Sequence, residues 1–353
     1  MPDPVASRIR SRIAYWLFGL FLFAVAAATG FWFVGAELVR DRIVAAAWTV
    51  TGEAGTFSVA AFRVTGFPFH YDAHLTDVVL SGRDARGGWE WRAERAMVRL
   101  SPWLAREAAF DLAGDHKLRF HAGRLPLDLE ITADEAPGTY REGGADAPHV
   151  VRITPRGVSA REVTTGTRVT AERAAVQAFL YAGREPAGTE PSAGLIVDVA
   201  GVGLPEAAGR FLGPRIESLK SEIRVLAGLP FPVERPALAR WRADGGSIEV
   251  KDFALDWGPT KIESSGTATL DSDLQPEASF SAQMTGFEET LDALVAAGLV
   301  QAREVQGVKL VLSLMARRSE PGQGARIQVP LSIQDRTVYV GPARLTRLPQ
   351  VRW

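Results

Sequence analysis

Apolar and polar residues alternate along most of the chain beyond residue 50. The pattern is clearest at 125–132, 278–285 and 327–334, where the apolar positions are Leu125, Leu127, Leu129 and Ile131, then Ala278, Phe280, Ala282 and Met284, then Ile327, Val329, Leu331 and Ile333. A period of two places apolar groups on one face of a strand and polar groups on the other. Antiparallel sheets with one covered face show this alternation. The sequence therefore predicts a mainly β fold of antiparallel sheets.

Few helical patterns interrupt these strands. The spacing predicts helices over 236–243, 287–299 and 302–317, the last two apolar enough to pack on a sheet face. A Pro/Gly-rich stretch at 182–193 is the best candidate for a hinge. We therefore expect a first β half over 51–190 and a second β half, with helices, over 191–353. Pro330 lacks the N–H of a ladder hydrogen bond, which predicts an edge or bulged strand there.

The N-terminal region contains one long apolar run, from Ala14 to Val34. These 21 residues would span about 31 Å as a helix, close to the hydrocarbon thickness of a bilayer. Aromatic residues mark its two ends, as is typical of membrane interfaces: Tyr15 and Trp16, then Trp32 and Phe33. Ala26 and Ala28 also fit a cleavable signal peptide, but the apolar run continues past them. We predict an uncleaved transmembrane anchor over 14–34.

The charges beside this run indicate its orientation. Arg8, Arg10 and Arg12 precede it, whereas Arg40 and Arg42 follow it closely. The side with more basic residues stays in the cytoplasm. The prediction is a cytoplasmic tail over 1–13, a stalk helix over 35–50, and a single-pass inner-membrane protein with its body in the periplasm.

Composition excludes several classes of function. The formal net charge is -1 and the pI is about 6.6, so the chain lacks the basic footprint of a nucleic-acid-binding protein. The chain contains no cysteine, which excludes disulfides, thiolate metal sites and cysteine nucleophiles. The body must therefore be held together by burial and sheet pairing.

Candidate catalytic groups are few. His70 and His74 fall in an extended stretch, where positions i and i+4 lie about 13 Å apart, too far for one metal ion. No G-x-S-x-G elbow, P-loop or H-E-x-x-H motif is present. We predict no enzymatic activity, no metal and no cofactor. A periplasmic hydrolase is the minor alternative, which convergence of Asp72, His70 and His74 on a pocket would favour.

Three motifs resemble one family. They begin at Val64-Thr-Gly-Phe-Pro-Phe-His-Tyr-Asp, at Trp241-Arg-Ala-Asp-Gly-Gly with Leu255-Asp-Trp-Gly-Pro following, and at Asp335-Arg-Thr-Val-Tyr-Val-Gly-Pro-Ala. Together they are similar to an uncharacterised family of Gram-negative envelope proteins, domain of unknown function 2125. The motif residues are interpreted as structural parts of turns: Gly66, Phe67, Pro68, Phe69, Trp241, Gly245, Gly246, Trp257, Gly258, Pro259, Gly341 and Pro342.

That family resembles, more distantly, envelope proteins of the AsmA and TamB type. The resemblance implies an inner-membrane helix and a periplasmic β-sheet curled into a groove that binds phospholipid or fatty acyl chains, with a role in lipid transfer or outer-membrane assembly. The alternative is an envelope scaffold, a closed β-sandwich that binds protein partners and no lipid. The two differ in whether the apolar face is open or is filled by the helices over 287–299 and 302–317. The nine tryptophans leave the same choice open, because they either fill a core or line an amphiphile-binding surface.

Overall fold

The computed structural model describes residues 4–51, 55–84, 87–101, 106–122, 126–144, 146–181, 188–228, 234–298, 300–303, 305–307, 309–310, 327–351 and 353. In the N-terminal helix, side chains are described from Leu22 onward, apart from those of residues 24, 28, 49 and 50. The side chains of Ala14, Tyr15 and Trp16, predicted to mark the start of the anchor, lie outside the described set. So do the predicted hinge residues 182–187.

One helix, α1, runs from Pro4–Thr51 over 48 residues and includes the segments predicted as tail, anchor and stalk. Its sequence contains ten alanines, the residue with the highest helix propensity, and no proline after the first position, where proline is tolerated. Several of its large apolar side chains are exposed, among them Phe23, Phe31, Phe33 and Val34. Among the side chains that the structure describes, no helix meets the length and hydropathy needed to cross a membrane.

The rest of the fold is mainly β, as predicted, and its strands pair antiparallel. The chain divides into two compact units. Unit 1 comprises residues 1–111 and 116–127, and unit 2 comprises residues 112–115 and 128–353. The boundary predicted at 190 falls between two strands that pair with each other inside unit 2. The domain limits drawn from the sequence stay a prediction.

Unit 1 is organised around one long hairpin. Its strands are β1 (Thr56–Ser58), β2 (Ala61–Thr65), β3 (Tyr71–Asp84), β4 (Gly87–Leu100), β5 (Glu107–Asp111) and β6 (Gly114–Ala122). Strands β3 and β4 pair over their whole length. Strands β1 and β2 pair with the free edge of β3, while β5 and β6 pair with that of β4. Small and branched residues on the hairpin are buried, including Ala73, Leu75, Val78 and Ala93.

Unit 2 is a meander. Its strands are β7 (Leu127–Ala133), β8 (Pro137–Arg141), β9 (His149–Ile153), β10 (Arg156–Glu162), β11 (Arg168–Leu180), β12 (Pro191–Gly203), β13 (Arg215–Leu226), β14 (Ser247–Trp257), β15 (Thr260–Leu270), β16 (Pro276–Thr285), β17 (Ile327–Gln334), β18 (Thr337–Val340) and β19 (Ala343–Arg347). From β11 to β19, each strand pairs with the strand that precedes it in the chain. At the start of this series, β9 and β10 pair with the two ends of β11.

Three labelled helices are inserted in unit 2: α2 (Glu206–Gly209), α3 (Arg235–Ala243) and α4 (Phe287–Ala296). The helices predicted over 236–243 and 287–299 correspond to α3 and α4. Of the helix predicted over 302–317, residues 302–303, 305–307 and 309–310 are helical, and 311–317 lie outside the described residues.

Candidate functional site

One apolar sheet face runs through most strands of unit 2. Directly paired residues of an antiparallel sheet lie on the same side, so the strand register defines the face. A single row of paired residues crosses ten strands from β8 to β18, omitting β10. The row is Tyr140, Val151, Ala178, Leu195, Ile223, Val250, Gly266, Phe280, Leu331 and Val340. We call the side of the sheet that carries this row the apolar face.

The opposite side of the same strands is polar. One residue along the chain from the apolar row, the register pairs Arg152 with Gln177, Gln177 with Ile196, and Ile196 with Glu222. Arg152 donates a 3.0 Å hydrogen bond from Nε to the amide oxygen of Gln177. Strands with such contrasting sides require an apolar environment on one side only.

Helix α4 covers the apolar face over β16 to β18. Phe287 and Leu291 of the helix pack in one buried cluster with Ile327, Val329 and Val340 of the sheet. Val300 and Val305, which follow the helix, belong to the same cluster. This part of the face is therefore a filled core. The scaffold alternative predicts such filling by the helices over 287–299 and 302–317.

Helix α3 covers a second, smaller part. Leu238 and Trp241 form a buried cluster with Ala227, Leu270 and Leu274, beside the ends of β13 and β15. Leu270 lies on the apolar face, two residues along β15 from the partner of Ile248. Helix α3 thus covers the apolar face at one end of the strands.

Over β9 to β14 the described side chains of the apolar face are half-buried or exposed. Leu180 is 54% exposed, Val151 41% and Leu195 38%. Isolated exposed apolar residues are ordinary, but these lie on neighbouring strands of one face. We call the part of the apolar face on β9–β14 the open face.

The motif that begins at Trp241 closes helix α3. The Trp241 side chain is buried and donates a 3.0 Å hydrogen bond from Nε1 to the carbonyl of Leu226. Gly245 has φ +80, and Gly246 lies so close to the indole ring that a Cβ there would be 2.3 Å from it. These glycines allow the chain to turn from α3 into β14 against the ring that anchors the helix.

The other two motif turns in unit 2 join strands. Trp257 donates from Nε1 to the Gly213 carbonyl at 2.8 Å, and Gly258 (φ +57) and Pro259 connect β14 to β15. Gly341 and Pro342 connect β18 to β19, and the Gly341 amide donates to the Pro330 carbonyl at 2.7 Å.

The motif in unit 1 is a turn that contacts helix α1. Gly66, Phe67, Pro68 and Phe69 connect β2 to β3, with the His70 amide donating to the Gly66 carbonyl at 3.1 Å. Trp32 of α1 is buried against this turn. Its Nε1 donates to the His70 carbonyl at 3.2 Å, its ring stacks on Tyr71 at 5.7 Å between centroids, and it meets Phe67 edge-on at 5.8 Å. We call residues Gly66 to Tyr71 the helix-contact turn.

An ion pair supports the helix-contact turn from the neighbouring strand. Arg99 of β4 donates from Nε and Nη2 to the two carboxylate oxygens of Asp72, at 2.6 and 2.9 Å. These hydrogen bonds lower the pKa of Asp72 below its ordinary value, against the opposing effect of burial. His70 Nε2 lies 3.3 Å from the same carboxylate, whereas His74 Nε2 lies 3.1 Å from the Thr65 hydroxyl. The carboxylate of Asp72 thus has Arg99 as its main partner.

Within the described part of the chain, no group of three or more His, Cys, Asp or Glu residues has the arrangement of a metal site. A cavity of about 400 Å³ lies in unit 2, where the β9–β10 turn meets β11. Four of its nine lining residues are charged, with Arg156 3.6 Å from Glu135, and Asp198 3.2 Å from Lys220. This cavity is polar and therefore differs in chemistry from the open face.

Comparison with known proteins gives one match. The family described as uncharacterized protein conserved in bacteria (DUF2125) matches residues 32–349. The chain belongs to this family. The match includes Trp32 and every motif residue from Gly66 to Pro342, so the family extends over both units. No curated protein and no solved structure matches the chain.

Sequence reasoning interpreted the motif residues as structural parts of turns, and it missed two sets of residues. It did not link the helix-contact turn to Trp32, nor single out Tyr71. A signal was present, because Phe67 and Phe69 place two large apolar rings in a turn, where small polar residues are usual. It also did not distinguish the open face from the filled core, since the identity of an apolar strand residue such as Leu195 or Val329 does not show whether a helix covers it.

Proposed function

We propose that the protein is a single-pass inner-membrane protein whose periplasmic body binds lipid acyl chains on the open face of unit 2. Its role is lipid transfer or support of outer-membrane assembly, with phospholipid or fatty acid as the ligand. The action is passive binding and involves no catalytic step.

The observation that carries this proposal is the contrast along one continuous apolar face. Val329 and Ile327 under α4 are almost fully buried, whereas Leu195 and Leu180 on the same face are exposed. Apolar surface of this kind gains about 0.8 kcal/mol for each CH₂ group that it removes from water. An acyl chain laid along several strands is therefore held weakly, by apolar contact and without any specific polar contact.

Two further features support the proposed location at the inner membrane. Exposed Phe and Val side chains on α1 are suited to contact with lipid rather than water. The more distant resemblance of the family to envelope proteins of the AsmA and TamB type supports an envelope role, because the larger members of that type are implicated in phospholipid movement.

Native mass spectrometry of the full-length protein, extracted from envelopes in mild detergent, tests the proposal. We expect a retained mass equal to that of a phospholipid or fatty acid. Leu195→Gln places a polar amide on the open face and should reduce the lipid-bound fraction several-fold. Ile196→Gln is the matched control, because the neighbouring side chain lies on the opposite, polar side of β12. It should leave the bound fraction unchanged.

The alternative, an envelope scaffold without lipid, is favoured by the α4 cluster, which fills part of the face with the chain's own side chains. A folded protein that carries no lipid mass and binds no fluorescent fatty acid would overturn the lipid proposal in favour of the scaffold. Equal loss of lipid in both glutamine variants would also contradict it, since binding would then not depend on the open face.

A further inference from the structure

The helix-contact turn exposes two phenylalanines next to a helix that also exposes apolar side chains. Phe69 is 71% exposed and Phe67 50%, although Phe67 also contacts Trp32 with its edge. On α1, Phe31 and Phe33, the two neighbours of Trp32, are 67% and 62% exposed. Of these rings, Phe33 of the helix and Phe67 of the turn both contact the buried Trp32.

Close packing fixes the position of the turn along the helix. Besides the Trp32 contacts, the Tyr71 hydroxyl approaches Gly35 so closely that a Cβ there would lie 2.0 Å from the oxygen. The turn therefore meets α1 at residues 32–35. Further along the helix, the Arg40 guanidinium lies 5.7 Å from the Phe62 ring of β2. The helix and the first strands of unit 1 are held together over more than one helical turn.

This contact coincides with the change of polarity in α1. Before Gly35 the helix is apolar over many residues, while Glu37, Arg40, Asp41 and Arg42 follow within two turns. A helix that spans a bilayer leaves the hydrocarbon where such charges begin. Trp and Tyr rings, such as those of Trp32 and Tyr71, prefer that boundary, where one side is apolar and the other is wet, and Phe side chains enter its apolar side.

We propose that the helix-contact turn is a second membrane contact, with Phe67 and Phe69 inserted into the lipid interface beside α1. The partner is the bilayer surface itself, at the level of the headgroup and acyl boundary. This rests on the anchoring part of the proposed function, and it is independent of lipid binding on the open face. The second contact holds unit 1 at a fixed height on the membrane, because the turn starts the long β3–β4 hairpin.

Single-cysteine variants of the full-length protein provide the test, since the natural sequence has no cysteine. Phe69→Cys carries an environment-sensitive fluorophore at the turn, and the side chain it replaces is mostly exposed. Phe23→Cys reports on the anchor itself. Arg83→Cys lies at the far end of β3, roughly 40 Å along the strand from Tyr71. Each labelled protein is incorporated into phosphatidylethanolamine/phosphatidylglycerol vesicles with and without acyl chains that carry a quencher.

We expect the labels at 23 and 69 to lose emission in quencher vesicles and the label at 83 to keep it. Quenching at 23 without quenching at 69 would overturn the second contact and leave the anchor in place. Labelled protein that stays separate from the vesicles in a flotation gradient would overturn both the anchor and the second contact. Quenching at all three positions would also contradict the proposal, because the contact would then not be specific to the turn. Lipid binding by the Leu195→Gln protein is measured separately and does not affect these outcomes.

Discussion

Among the described residues, four tryptophans donate a hydrogen bond from the indole N–H to the backbone of another segment. Trp32 donates to His70, Trp241 to Leu226, Trp257 to Gly213 and Trp353 to Leu274, over distances of 2.5 to 3.2 Å. Trp32 and Trp241 are buried, and a buried indole needs such a partner. For these residues, joining segments of the fold is the role that the structure supports.

The ion pair between Asp72 and Arg99 leads to a prediction about pH. Arg99→Gln should destabilise unit 1 by on the order of 1 kcal/mol at neutral pH, a small value because the Arg99 side chain is half exposed. The folded-state pKa of Asp72 is lowered, so the stabilisation is present above the ordinary carboxyl pKa and is lost as the pH falls through the lowered value. The difference from wild type should therefore shrink at acid pH. Hydrogen exchange of β3 amides in increasing urea measures it.

Arg95→Gln is the control for this measurement. Arg95 is on the same strand, but it is 71% exposed and lies 3.7 Å from an exposed Glu94. We expect little effect at either pH. An Arg99→Gln penalty of the same size at acid and neutral pH would contradict the assignment to Asp72.

Pro330 shows how far a single residue could be interpreted from sequence. The missing N–H predicted an edge or a bulge. In the structure β17 pairs with β16 from Ile327 onward, but with β18 only from Leu331. Pro330 is thus the last residue of β17 before its pairing with β18 begins. The sequence showed that a ladder hydrogen bond would be missing at Pro330. It did not show on which side of β17 the neighbouring strand would be absent.

At the scale of elements, α1 and β3 come into close contact at Gly35, beside the stacking of Trp32 on Tyr71. Gly35→Ala should displace Tyr71 from the helix, because the new methyl group would overlap its hydroxyl. Gly30→Ala is the matched control in the same helix, since no described atom lies within 4 Å of a Cβ there. Both changes raise helix propensity equally. We expect faster hydrogen exchange of residues 66–76 in Gly35→Ala alone, and equal exchange in both variants would refute the contact.

The elements themselves were predictable to different degrees. The alternation in 278–285 and 327–334 identified β16 and β17, because each has one buried side. Their direct pairing, for example of Phe280 with Leu331, was not predictable, since more than forty residues separate them. The same limit applies to Trp32 and Tyr71. Periodicity reports the environment of a strand and carries no information on which distant segment provides it.

For the molecule as a whole, the division into two units predicts that damage in one unit is local. Gly246→Ala should destabilise unit 2 by about 1–3 kcal/mol, because a methyl group would overlap the buried Trp241 ring. Hydrogen exchange should rise in β13 to β15 and remain unchanged in β3 and β4. Gly307→Ala, with no described atom near its Cβ, is the control. An equal rise in β3 and β4 would show that the two units unfold together.

The meander of unit 2 has a consequence for how the chain acquires its structure. Each strand from β11 to β16 pairs with the one just made, so each pairing can form as soon as the later strand is complete. The sheet can therefore grow strand by strand as the chain emerges from N to C terminus. Growth must then pause until β17 appears, since residues 286–326 separate it from β16. During that interval the edge of β16 is the surface most exposed to wrong partners.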